Sequence, residues 1–128
     1  MLIAITLTLA STTDMTLPAF VGRANYAELL TRLQLFDAPL ATALHSSDGP
    51  KPLTCSSLLA VRAERDTVQL RAGQLTTVRF TGLTAAVSQA LRACLLDDPP
   101  AHWRLAAQTF DVVGATCDPA QHGWSGQT

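Results

Sequence analysis

At 128 residues the chain suits one domain, long enough to bury roughly 65 to 70% of the surface its unfolded form exposes. Hydrophobic residues make up 48% and charged residues 15%, which excludes a disordered chain, and no apolar run approaches the roughly 18 residues of a membrane span, so no membrane partner is expected. The formal net charge of -1 excludes the strongly basic class of free-standing nucleic-acid binders; for an RNA ligand the positive surface would have to lie elsewhere.

Ile3, Ile5, Leu7 and Leu9 alternate with Ala4, Thr6 and Thr8, the period of a strand with one buried face, and the absence of a basic start separates this stretch from a signal peptide. Ser11 to Asp14 reads as a polar loop, and Leu17-Pro18 as the opening of a helix, since a first-turn proline gives up no intrahelical bond. Tyr26, Leu29, Leu30 and Leu33 follow at i, i+3, i+4 and i+7 and read as core. Arg23, after Gly22, lies off that stripe as a ligand-facing cation. Asp37 caps a short second helical piece with Pro39 in its first turn, delivering His45 at its end.

His45 and Lys51 flank a stiff turn, because Gly49-Pro50 and Pro52 fix the backbone around the lysine. A histidine takes or gives a proton near neutral pH, and an ammonium beside it can stabilise a developing anion. The same two residues also suit blander roles, a cation on a helix C-terminus and a solvated lysine. Thr54 to Ala63 reads as a strand with Arg62 pointing away from its inner face. Glu64 to Thr67 is a charged turn leading into an irregular return hairpin, whose last segment alternates Val78 and Phe80 with Thr77, Arg79 and Thr81.

Thr84 to Leu96 is a second amphipathic helix, stopped by Asp97-Asp98-Pro99-Pro100, and Trp103 to Val113 a final strand with Gly114 at its bulge or end. Residues 117–128 lack periodicity and read as a linker, leaving 1–116 as the domain. The order strand, helix, strand, strand, helix, strand predicts an α+β fold, a ferredoxin-like βαββαβ sandwich with a four-stranded antiparallel sheet and two main helices on one face. Fold alone assigns no function. The central strands lack the aromatic set of an RNA-recognition motif, and Gly49-Pro50-Lys51 lacks the pattern of a P-loop. Cys55, Cys94 and Cys117 are too dispersed for a zinc site, so no metal or cofactor is expected, and free thiols point to the cytoplasm.

The motif Leu40-Ala41, Leu44-His45, Gly49-Pro50-Lys51, Thr54, Ser56, Leu58 resembles the N-terminal half of the CRISPR RNA processing endoribonucleases, the sixth Cas family of the RAMP superfamily. Weaker matches extend over nearly the whole chain: Gly22-Arg23, Val78-Arg79 and the tail His122 to Gly126. The resemblance implies metal-independent cleavage of CRISPR repeat RNA by the 2′-hydroxyl before the scissile phosphate, with His45 and Lys51 as catalytic residues. Arg23, Arg62 and Arg79 are the expected RNA contacts. It also implies a second ferredoxin-like domain beyond the linker, missing from this chain. The tyrosine that some members add falls on Leu30, with Tyr26 one turn away; Ser57 replaces a usual proline and Leu53 a usual phenylalanine. Two other readings stay open: a non-catalytic RAMP module that binds or scaffolds RNA, and a ferredoxin-like ligand-binding domain that pairs with a second copy as a homodimer. On the first reading residues 1–128 alone should bind RNA weakly and self-associate through an uncovered face.

Overall fold

In the computed structural model residues 2–46, 49, 51–117 and 126–127 are described. The chain runs β1 (Ile3–Ser11), β2 (Met15–Pro18), α1 (Gly22–Phe36), α2 (Ala38–Ser46), β3 (Leu53–Cys55), β4 (Ala63–Glu64), β5 (Thr67–Leu70) and β6 (Leu75–Gly82). It continues with α3 (Ala85–Leu91), a π-helical extension Arg92–Asp97, β7 (His102–Leu105), β8 (Gln108–Thr116) and β9 (Gly126–Gln127).

The main sheet has the order β3-β6-β1-β8-β7, antiparallel throughout, with β9 pairing β1 beside β8. Its inner four strands follow the ferredoxin-like order, and β7 extends the edge, so the sheet is larger than the four strands expected. The alternation read in β1 sets the register. Ile5 opposes Phe80 and Leu7 opposes Val78, all fully buried, whereas Thr6 opposes Arg79 and Thr8 opposes Thr77 on the other face. Leu29 and Leu33 of α1 and Leu91 and Leu95 of α3 and its extension join the same core. Among the described residues no helix is long and apolar enough to cross a membrane.

Three expectations are corrected. Leu17-Pro18 does not open a helix: Met15–Pro18 pairs with β5 at the edge of a small sheet β2-β5-β4, an edge where a proline's missing N–H is tolerated, and α1 starts at Gly22. Thr54 to Ala63 is not one strand. Pairing with β6 stops at Cys55, resumes as a single bridge between Leu59 and Thr77, and the chain then turns through Ala60 at φ 59° into β4. The final strand is a hairpin, β7 against β8, closed by Ala106-Ala107 at φ 49° and 67°. The tail read as a linker lies largely outside the described residues, and its described pair Gly126–Gln127 runs along Ile3–Ala4.

Asn25 ties these parts together. It is fully buried, donates to the Ser56 carbonyl at 2.9 Å and accepts from the Trp103 indole at 2.9 Å. One amide thereby joins α1 to the irregular segment after β3 and to the β7–β8 hairpin. On the other flank Arg32 donates to the Cys94 and Asp98 carbonyls, fastening α1 to the π-helical extension. Gly82 lets α3 approach β6, because a Cβ there would lie 2.8 Å from the Ser88 hydroxyl and 3.1 Å from its Cα.

Removing the Asn25 amide strands two buried partners, so Asn25→Ala is expected to lower stability by about 2–4 kcal/mol in chemical denaturation. The Ala106-Ala107 turn needs positive φ at both central residues, which costs an alanine roughly 1–2 kcal/mol each. Ala106→Asn combined with Ala107→Gly should therefore raise stability by about 1 kcal/mol, and an unchanged denaturation midpoint would contradict the strain.

Candidate functional site

Asp37 caps α2 as its sequence predicts, its carboxylate accepting from the Leu40 amide at 3.1 Å, and the helix then runs to Ser46. His45 stands in its last turn, exposed to solvent. Its ring borders a cleft of about 450 Å³ between α1 and α2, lined also by Leu30, Thr31, Leu35, Ala41 and Thr42. Leu30, where the resemblance places a tyrosine, is half-buried and apolar, so it offers the cleft a wall and no proton.

Lys51 folds back on the same helix end. Its ammonium donates to the Leu44 carbonyl, the residue before His45, which places a positive charge at the negative end of the α2 dipole. The Tyr26 hydroxyl reaches the same carbonyl at 3.5 Å. Tyr26 was read as core. Its ring does pack against the core, but its hydroxyl belongs to this polar junction. The structure thus gathers His45, Lys51 and Tyr26 around one turn of backbone. Nothing in the spacing of Tyr26 announces this, since its partner is a carbonyl 18 residues away.

The three arginines expected to meet RNA do not join this junction: no hydrogen bond or ion pair between described residues links any of them to His45 or Lys51. Arg23 is exposed in the first turn of α1, and Arg62 is exposed on the segment leading into β4. Arg79 is half-buried on β6, where its Nε, together with Thr77 Oγ1, is buried without a hydrogen-bond partner among the described residues. Ser57 shapes the start of α1. Its hydroxyl accepts from the Val21 amide at 3.1 Å, a bond that a proline in its place could not make. Ser56 accepts from the Arg79 amide at 2.8 Å, locking the chain after β3 to β6.

No group of three or more potential metal-ligating side chains comes together among the described residues. A second histidine, His102, pairs with Asp111 across the β7–β8 hairpin at 3.1 Å, on an exposed surface.

Burial pushes the Cys55 thiol up from 9.0 to about 12 and the Cys94 thiol up to about 11, the latter opposed by Arg32 and a backbone hydrogen bond. Burial also raises the Tyr26 phenol above its usual 10.0, with Cys55 adding in the same direction. Each group is neutral when protonated, and each is held protonated longer in the fold than in the unfolded chain. Their contribution to stability is fully present below pH 9 and is lost as pH rises through the folded values. The melting temperature should therefore stay level between pH 7 and about 8.5 and fall steadily above 9. A flat profile to pH 11 would show that these thiols are not held back.

No protein-family model and no curated protein matches the chain. Solved structures do. A Cas6 product complex aligns with TM-score 0.71 and 20% identity over 100% of this chain and 44% of its own length. The product of a Cas6-related gene from Pyrococcus furiosus aligns with TM-score 0.68 and 9% identity over 91% of this chain and 47% of its own. A RAMP protein binding different RNA substrates aligns with TM-score 0.66 and 14% identity over 89% of this chain and 47% of its own. The chain has the fold of these Cas6 and RAMP proteins and spans less than half the length of each.

Proposed function

We propose that this chain is the N-terminal half of a metal-independent endoribonuclease that cleaves CRISPR repeat RNA, with His45 as general acid or base and Lys51 as the cation beside the scissile phosphate. The observation that carries the reading is the junction at the end of α2, where an exposed imidazole and an ammonium anchored on the preceding carbonyl lie side by side, within a fold shared with Cas6 proteins. Attack of a 2′-hydroxyl on the adjacent phosphate requires one proton to leave the nucleophile and another to reach the departing 5′-oxygen. A histidine supplies such transfers at neutral pH. The negative charge that builds on the phosphorane oxygens calls for a cation, and an ammonium has three hydrogens, of which the Leu44 carbonyl takes one.

Arg23, Arg62 and Arg79 are assigned to the RNA backbone at a distance from the reaction. For Arg79 the assignment draws on its buried, unpartnered Nε, which a phosphate oxygen would satisfy. A second ferredoxin-like domain, supplying further phosphate contacts, is part of the proposal, because a net charge of -1 gives this chain little counterion-release affinity of its own.

Repeat RNA incubated in EDTA with the protein that carries this chain should give a product ending in a cyclic phosphate and another beginning with a 5′-hydroxyl. His45→Ala should slow cleavage by about 10²- to 10⁴-fold, and a variant as fast as the parent would remove His45 from the mechanism. A specific observation favours a second reading, an RNA-binding RAMP module without cleavage: Leu30 puts an apolar wall where a hydroxyl is expected. Tight retention of uncut repeat RNA under all conditions would select it.

A further inference from the structure

Two donors converge on one carbonyl at the end of α2. Lys51 holds the Leu44 oxygen closely, while the Tyr26 hydroxyl stands at 3.5 Å, the outer limit of a hydrogen bond. Leu44 is 3% exposed, and its carbonyl belongs to the last turn of a helix that ends at Ser46, where intrahelical amides run out. A carbonyl so placed needs a donor at all times.

We propose that the Leu44 carbonyl is a two-donor latch: Lys51 holds it in the RNA-free chain, and Tyr26 takes it over when the lysine turns to a phosphate. The exchange uses atoms already within reach. The phenol has only to close a long contact by a small rotation, because its ring is fixed against the core. Its raised pKa keeps the hydroxyl protonated, and so a donor, throughout the neutral range. Without Tyr26, moving Lys51 away would leave a covered carbonyl bare at the residue next to His45, loosening the turn that presents the imidazole. With it, the ammonium is released while the end of α2 stays closed. The role of Lys51 toward phosphate rests on the function proposed above; the sharing of the carbonyl does not.

A double-mutant cycle on the chain itself tests the sharing. Tyr26→Phe and Lys51→Met, each covered by the remaining donor, should each lower the melting temperature by no more than about 2 °C, and the double variant should lose about 3 to 6 °C beyond their sum. Additive losses would overturn the latch. Should the double variant not fold, the Leu44 carbonyl ¹³C shift in Lys51→Met decides: it should stay in the hydrogen-bonded range, and a shift to the unbonded range would show that Tyr26 does not take over.

Binding of a single-stranded oligouridylate at several salt concentrations tests the exchange. Lys51→Met should reduce the slope of log affinity against log salt by about 0.7. Tyr26→Phe should reduce it by part of that, and the double variant should match Lys51→Met. A slope lowered by Lys51→Met but untouched by Tyr26→Phe overturns the exchange. A slope indifferent to Lys51→Met overturns the phosphate role alone, and the melting cycle still decides whether the carbonyl is shared.

Discussion

The buried amide of Asn25 is the contact on which the arrangement turns. Its oxygen and nitrogen face opposite ways, one toward the Trp103 indole on β7 and the other toward the Ser56 carbonyl after β3. Those two segments lie at opposite edges of the main sheet, so α1 spans it and is held at both sides from a single residue. Directional bonds of this kind fix where a helix sits along its axis, which apolar packing does not do by itself. Tyr26 is the next residue on α1, and its reach to α2 is therefore set by the same anchor.

Around that anchor the apolar core supplies bulk and the polar bonds supply position. Phe80 meets Trp103 edge to face at a centroid distance of 5.6 Å, closing the sheet against α1. Glu28, one turn after Asn25, accepts from the Arg104 amide at 2.8 Å on the outermost strand. That carboxylate occupies a backbone donor on the free edge of β7, a means of discouraging edge-to-edge pairing with another chain. The opposite sheet face is threonine-rich and carries Arg79, so it is polar enough to stand in water or meet a polar ligand without an apolar cover.

Much of this was legible because the pattern was strong. The alternation in β1, the α1 stripe, the Asp37 cap and the Thr84 start of α3 are each imposed by local chemistry, and Thr84 does accept from the Val87 amide at 3.2 Å. The placement of His45 at a helix end and of Lys51 beside it followed from Pro and Gly punctuation. What escaped was decided by distant partners. Met15–Pro18 is a strand only because β5 lies alongside it, and Leu17 is buried there as readily as it would be in a helix. The β7–β8 turn carries two alanines in place of the Asn-Gly that announces such hairpins, so the break at Ala106 left no trace in the periodicity. The Tyr26 hydroxyl met its partner through tertiary packing, and no spacing rule links residues 26 and 44.

Lys51 is the only lysine in the sequence, and its amine is hydrogen-bonded to a backbone oxygen. Acylating reagents attack the unprotonated amine through its lone pair, and an ammonium tethered to a carbonyl surrenders its proton less readily than one in water. The chain thus has a single side-chain amine, in a protected setting. Its modification would report from one known atom on the closure of the α2 end, with no other lysine to blur the signal.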